Sequence, residues 1–416
     1  MKININPVIS GRIKKAWAAL SPDQRNRIAP MLARAHQQAL TVAQTHTAPA
    51  PDPSVAHQAL LAQTALTNDQ DRVADSLPAD VVIAVGAGGE IWGTGKYQQL
   101  DPGWTESVAV WLENLLLGKH AFNNVTPNPV LIPDQVQIAI AGDWGTGEWR
   151  TTSNTAPGTR VGSQIASLRP DLSVHLGDVY YAGSSDEEQH LLVNLWPGGW
   201  LGAVTMNSNH EMYSGATPYF QVALGSPAFQ IQQQCSFFAF ENNAWVIVGL
   251  DSAYYSNEEG LYEDGSLYPG TGPQVQLDFL KAQVAKGKKV IVLTHHNGLL
   301  EDGSSTTNLW SQVMSAFADG AGPAYWYWGH VHAATVFKPY GPANVLSRCC
   351  GHGALPWGQA SDLANSQLVL WYENRPANDP DIPQRVLNGF AVLRLDGPRL
   401  QETFYDENGG IAWQSA

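Results

Sequence analysis

Five short apolar runs in this chain each end on a polar cluster, and that repetition constrains the fold more than any compositional total. Val136, Ile138 and Ile140 alternate into Gly142-Asp143, and Leu172–Leu176 runs into Gly177-Asp178. Ala203–Met206 leads to Asn209-His210, Val290–Leu293 to His295-His296, and Tyr325–Trp328 to Gly329-His330. Alternating or continuous apolar runs of this length are strand signals. Helical stretches are expected at Arg160–Leu168, Glu187–Leu195, Val275–Ala285 and Leu309–Phe317. Strands and helices in this succession predict an α/β chain. In such sheets ligands bind beyond the carboxyl ends of the strands, so clusters far apart in sequence can meet at one place.

The side chains at those ends share a chemistry. Carboxylate, amide oxygen, imidazole and phenolate all bind hard or borderline cations. His330 and His332 alternate on an extended segment, which turns both rings to one side. An Asp set between two cations can bridge them. Taken singly, each cluster has an ordinary explanation as a turn, a cap or a structural histidine. Taken in this order, Asp143, Asp178, Asn209, His295 and His330, with His332 beside it, point to a two-metal centre.

The ordered motifs Gly142-Asp143-Trp144-Gly145, Gly177-Asp178-Val179-Tyr180-Tyr181, Ser208-Asn209-His210-Glu211, Val292-Leu293-Thr294-His295 and Gly329-His330-Val331-His332 resemble those of the calcineurin-like metallophosphoesterases, and within them the purple acid phosphatases. The resemblance covers about residues 136–340; the first 130 residues are outside it. It implies a β-sandwich flanked by helices. It also implies that Asp143, Tyr181 and His332 bind the first metal, that Asp178 bridges, and that Asn209, His295 and His330 bind the second. His210 would contact phosphate and act as general acid; His296 would do likewise or support His295.

Most of the wider superfamily has D-x-H at the first motif. Here Gly145 replaces that His, and Tyr181, three residues after Asp178, stands where a purple acid phosphatase places its substitute ligand. A phenolate suits ferric iron, so the resemblance implies Fe(III) in the first site and Fe, Zn or Mn in the second, with a visible colour. Tyr180 competes with Tyr181 for this role; the D-x-x-Y spacing favours Tyr181, and Tyr180 is expected to pack. Ser208 replaces the usual Gly before Asn-His, so the local backbone or substrate access is expected to differ.

The function implied is hydrolysis of phosphate esters by attack of a metal-activated hydroxide, in the manner of a purple-acid-phosphatase-like phosphomonoesterase. A phosphodiesterase on the same core, including one for cyclic nucleotides, is the alternative. A non-catalytic metal-binding module is a third reading. Arg150, Arg348 and His352 are candidate phosphate contacts, the last two in a loop after a late strand. His175, inside the second run, is expected to be a core residue.

Lys+Arg total 23 against 37 Asp+Glu, a formal charge of −14. This disfavours nucleic acid and anionic membranes as partners. A small anionic ester remains acceptable where cations make the site locally positive. Three Cys make no disulfide framework. Without a signal peptide or membrane-length run, the expected compartment is the cytoplasm, with export by a signal-less route left open. The expected organisation is a helical segment over 1–45, started by Ser21-Pro22-Asp23-Gln24; a linker over 46–54; a mixed extension over 55–133; and the catalytic domain over 134–416, ending in a hairpin. Gly86-Ala87-Gly88-Gly89 fits neither nucleotide-binding loop and is expected to be a turn.

Overall fold

The computed structural model describes residues 7–30, 82–85, 91–93, 99–100, 104–145, 156–354, 363–379 and 385–415. The apolar runs form two mixed sheets. In the first, Gln135–Ala141, Leu172–His175 and Gly202–Thr205 are parallel neighbours. Gly389–Asp396, Arg399–Asp406 and Ile411–Gln414 extend that sheet antiparallel on its other side. In the second, Trp245–Leu250, Lys289–Thr294, Tyr325–Trp328 and Leu346–Cys350 are parallel. Antiparallel strands Phe238–Glu241 and Ala334–Phe337 flank them, with Val130–Leu131 and Val369–Tyr372 at the edges.

Alternation along each strand decides which side faces which layer. Ile138, Ile140, Val174 and Leu393 of the first sheet share one buried cluster with Ile247, Ile291, Leu293 and Tyr327 of the second. The intervening Ala139 and Ala141 pack outward on Val161 and Ile165 of helix Pro157–Leu168. Val246, Val248, Val290 and Val292 pack outward on helices Val275–Val284 and Asn308–Met314. The result is the sandwich flanked by helices expected from the sequence. It aims the carboxyl ends of seven parallel strands, three from one sheet and four from the other, at one rim.

Ser21 and Gln24 make the reciprocal bonds of a capping box (Ser21 N to Gln24 Oε1 3.0 Å; Gln24 N to Ser21 Oγ 3.2 Å), and residues 22–30 are helical. Together with helix Pro7–Ala19 they bury Ile13, Ala16, Leu20 and Ile28 in the same cluster as Val108, Trp111 and Leu112 of helix Trp104–Leu117. The stretch expected to be helical over Glu187–Leu195 is a capped turn, Ser185–Glu187, followed by a π-helical turn, Glu188–Val193. The C-terminal hairpin has a third strand, Ile411–Gln414, that the sequence reading lacked. The linker 46–54, a helix expected over Val55–Leu66, the Gly86–Gly89 turn and Arg150 lie outside the described residues. Among the described residues no helix is long and apolar enough to cross a membrane.

Candidate metal centre

Three strand ends turn sharply where a glycine precedes a site residue. Asp143 (φ 57), Asp178 (φ 74) and His330 (φ 63) all adopt left-handed backbone conformations, which are uncommon for residues with a Cβ and concentrate at functional sites. The two sheets meet here through main-chain contacts. Gly142 N donates to Cys350 O at 2.9 Å, and His330 N donates to Asp143 Oδ2 at 2.9 Å. A Cβ on Gly329 would lie 2.5 Å from Asp143 Oδ2, so only glycine permits this approach.

Two groups of donors result. Asp143, Asp178 and His332 bring one ligand atom each within 4.8 Å of one another, and so do His295, His296 and His330. In the first group His332 Nε2 is 3.3 Å from Asp143 Oδ1 and 3.8 Å from Asp178 Oδ2. In the second, Asn209 Oδ1 sits 2.9 Å from His295 Nε2 and 3.3 Å from His330 Nδ1. Asp178 faces both groups: its Oδ1 is 3.3 Å from His295 Nε2. Burial and the Asp178 charge push Asp143 well above the usual carboxylate range. Burial also opposes charge on Asp178, but the ring of His210 and hydrogen bonds with His332 and Asp143 outweigh it and hold that carboxyl well below the range. Burial lowers His295 to about 3, so its ring is neutral at pH 7.

The proton positions test whether a cation fits. His295 Nδ1 is 2.8 Å from the Leu176 carbonyl, which only accepts, so Nδ1 carries the proton. The lone pair on Nε2 then faces Asn209 Oδ1 and Asp178 Oδ1. The amide is not reversed, because Asn209 Nδ2 faces the acceptor Glu263 Oε1 at 3.4 Å and Tyr213 OH at 3.1 Å. Three acceptors converge with no proton between them. That arrangement repels unless a cation sits among them, so the donor set fits a metal ion.

The tyrosine of the first group is Tyr180, which corrects the expectation placed on Tyr181. The Tyr180 hydroxyl is 2.8 Å from Asp178 Oδ2, 2.9 Å from His332 Nε2 and 3.4 Å from Asp143 Oδ1. Tyr181 instead turns its carbonyl to the site, where it accepts from His210 Nδ1 at 2.7 Å, while its ring packs on the neighbouring hydrophobic cluster. Burial and the charges of Asp178 and Asp143 push the Tyr180 phenol well above 10. A cation beside it would reverse that balance. With Nδ1 as donor, His210 presents Nε2 to the centre, 4.0 Å from Asp178 Oδ2.

Of the other expected site residues, His296 lies among the second group of donors, and Arg348 and His352 lie elsewhere. His296 bonds Ser252 Oγ through Nδ1 (2.9 Å) and the Tyr262 carbonyl through Nε2 (2.7 Å), so both of its ring nitrogens have protein partners. Arg348 lies within strand Leu346–Cys350, not in a loop, and makes a two-pronged bond to Glu402 (2.7 and 2.8 Å) between the sheets. His352 stacks on Phe404 away from the donors, and burial lowers it to about 3. His175 is a core residue as expected, bonded to Thr205 Oγ1 at 2.9 Å and set edge-on to Trp144 and Trp196.

The structure gives Ser208 its contacts and adds residues to which the sequence reading assigned no role. Ser208 takes an extended backbone (φ −135) that tolerates a side chain; its hydroxyl caps helix Asn209–Tyr213 and bonds Asp178 and Glu211. Glu211 also accepts from Val179 N at 3.1 Å, and burial with the Asp178 charge pushes it up to about 8. Its place beside Asn209-His210 was the available signal. Ser107 donates to the Tyr181 carbonyl at 2.8 Å from helix Trp104–Leu117. Nothing local marked Ser107 or Glu263.

Residues 136–334 match the calcineurin-like phosphoesterase family. No curated protein matches the chain. Among solved structures, GAP50, the anchor in the inner membrane complex of Plasmodium, is 13% identical with a TM-score of 0.46, covering 68% of this chain and 88% of its own. The purple acid phosphatase PPD1 from yellow lupin (Lupinus luteus) seeds is 15% identical with a TM-score of 0.45, covering 70% of this chain; the match spans 54% of the lupin chain. A dimetal phosphatase from Danio rerio is 14% identical with a TM-score of 0.42, covering 67% of this chain and 96% of its own.

Proposed function

We propose, for a chain whose residues 136–334 match the calcineurin-like phosphoesterase family, that it hydrolyses small phosphate monoesters at a rim site whose side chains would hold two cations. The chain is a metal-dependent phosphoesterase; the monoester preference and the metals are our reading. The observation that supports it is the position of Asp178, whose two oxygens face the two donor groups and can serve both cations. Asp143, Asp178, Tyr180 and His332 would hold the first cation. Asp178, Asn209, His295 and His330 would hold the second. A phenol among the first set favours Fe(III) there, and the imidazole-rich second set suits Fe, Zn or Mn. Bound cations supply charge neutralisation for phosphoryl oxygens and lower the pKa of a coordinated water toward neutrality.

The chain's own residues supply positioning and proton transfer. The Tyr181 carbonyl fixes His210 in the tautomer that aims Nε2 at the centre. Protonated there, His210 donates to the departing oxygen. Its contribution therefore depends on the leaving group. His210→Ala should lower turnover about 10²–10⁴-fold on an alkyl phosphate and less on p-nitrophenyl phosphate, whose phenoxide leaves without help. Equal losses on both would reject the general-acid role.

A panel of p-nitrophenyl phosphate, bis-p-nitrophenyl phosphate and cyclic AMP, run with metal analysis of the native protein, tests the function. Preferred cleavage of the monoester with two metals per chain is expected, and Asp178→Asn should lose both metal and turnover. A diester preference would replace the monoester reading. Two bound metals with no turnover of any ester would end the enzymatic one.

A further inference from the structure

Glu263 stands behind the second donor group, on a loop that turns through Asn257 to Tyr262. Its Oε2 is 3.3 Å from His330 Nε2. Its Oε1 is 3.4 Å from Asn209 Nδ2 and 3.4 Å from the Tyr213 hydroxyl. An ionised carboxylate only accepts, so an attractive contact requires the proton of neutral His330 to sit on Nε2. Nδ1 then carries a lone pair, and Nδ1 is the nitrogen that faces Asn209 Oδ1. The same carboxylate accepts from the Asn209 amide nitrogen, which turns the amide oxygen toward His295 and His330. We infer that Glu263 is a positioning residue for the second cation, setting the His330 tautomer and the Asn209 amide from behind. This rests on the two-cation reading above.

The loop's anchors come from outside the family match. Arg27 Nε bonds Glu259 Oε2 at 2.6 Å, Trp111 Nε1 bonds the Glu258 carbonyl at 2.8 Å, and Lys119 Nζ pairs with Glu258 Oε1 at 2.7 Å. Outer partners of this kind fix ligand orientation and basicity, and their loss typically costs about 10–100-fold in metal affinity.

The test is calorimetric titration of the metal-free full-length protein with Zn²⁺ for the wild type, Glu263→Gln, Glu263→Ala and, as a control on the exposed C-terminal hairpin, Asp396→Asn. Two binding events are expected in the wild type. Glu263→Ala should weaken one about 10–100-fold and leave the other within threefold, with Glu263→Gln intermediate and Asp396→Asn unchanged. Matched circular dichroism and melting temperatures of the metal-free proteins establish folding. If Glu263→Ala leaves both events unchanged, or weakens both alike, the inference is overturned. A wild type that takes up no Zn²⁺ overturns the two-cation reading instead, and this one with it. Histidine ¹⁵N spectra of the Zn²⁺-loaded protein give a second readout: His330 protonated at Nε2 is expected, and protonation at Nδ1 would overturn the assignment.

Discussion

Adjacent tyrosines after Asp178 divide the work of the first donor group. Tyr180 places its hydroxyl among Asp143, Asp178 and His332, and Tyr181 orients His210 through its carbonyl. In iron-loaded protein, Tyr180→Phe should therefore abolish the visible charge-transfer band while Tyr181→Phe retains it, as read in an absorbance spectrum; the reverse pattern would return the role to Tyr181. Counting residues from Asp178 favours Tyr181, whereas the structure brings the Tyr180 hydroxyl to the donors; the left-handed turn at Asp178 (φ 74) is not visible in side-chain types. Arg348 and His352 misled for a related reason. A polar residue near the end of an apolar run looks the same in sequence whether it faces the rim or the space between the sheets. For Arg348 the deciding partner is Glu402, from a different sheet. Asp143, Asn209, His295, His330 and His332 were legible because each lies within four residues of the end of its strand, and strand ends in an α/β sandwich converge.

At the scale of elements, helix Trp104–Leu117 joins the N-terminal extension to the rim. It carries Ser107 to the Tyr181 carbonyl and Trp111 to the Glu258 carbonyl. A helix is expected over Glu106–Leu117 within the mixed extension, and Ser21-Pro22-Asp23-Gln24 announces the capped start of the helix over 22–30. The role of helix Trp104–Leu117 was not readable, since both contacts reach residues more than 70 positions away. Trp111 is fully buried, so Trp111→Phe keeps most of the apolar contact and removes one hydrogen bond, worth about 1 kcal/mol. Hydrogen exchange should then quicken in residues 257–263, roughly fivefold for that energy, and stay unchanged in strand Lys289–Thr294. Uniform quickening in both places would mean the helix supports the whole domain and not this loop.

At the scale of the molecule, the sheets are fastened by an ion pair inside the sandwich as well as by apolar contact. Glu402, on the first sheet, holds Arg348 by two bonds and accepts from the Tyr327 hydroxyl at 2.5 Å; both partners are on the second sheet. Removing one member of a buried pair strands the other, so Glu402→Ala should destabilise the fold by about 3–5 kcal/mol in urea melts. A loss under 1 kcal/mol would show that water reaches Arg348. Acid should also act on the core. Burial takes His352 from 6.5 to about 3 in the folded chain. Below pH 6.5 the unfolded chain then binds a proton that the native state refuses, so stability falls as pH drops through this window and is flat above it. At pH 4.5 this one residue should cost about 2–3 kcal/mol relative to pH 7.5, and His352→Gln should lose that much less over the same interval.

The left-handed turns at Asp143, Asp178 and His330 set the demands of heat resistance against those of chemistry. A residue with a Cβ sits there at a disadvantage of roughly 1–2 kcal/mol relative to glycine. A library screened only for survival at high temperature would be drawn toward glycine at 143, 178 and 330, and its hardiest members would be empty shells. Durable variants of this protein that still turn over ester must draw their robustness from positions remote from the rim.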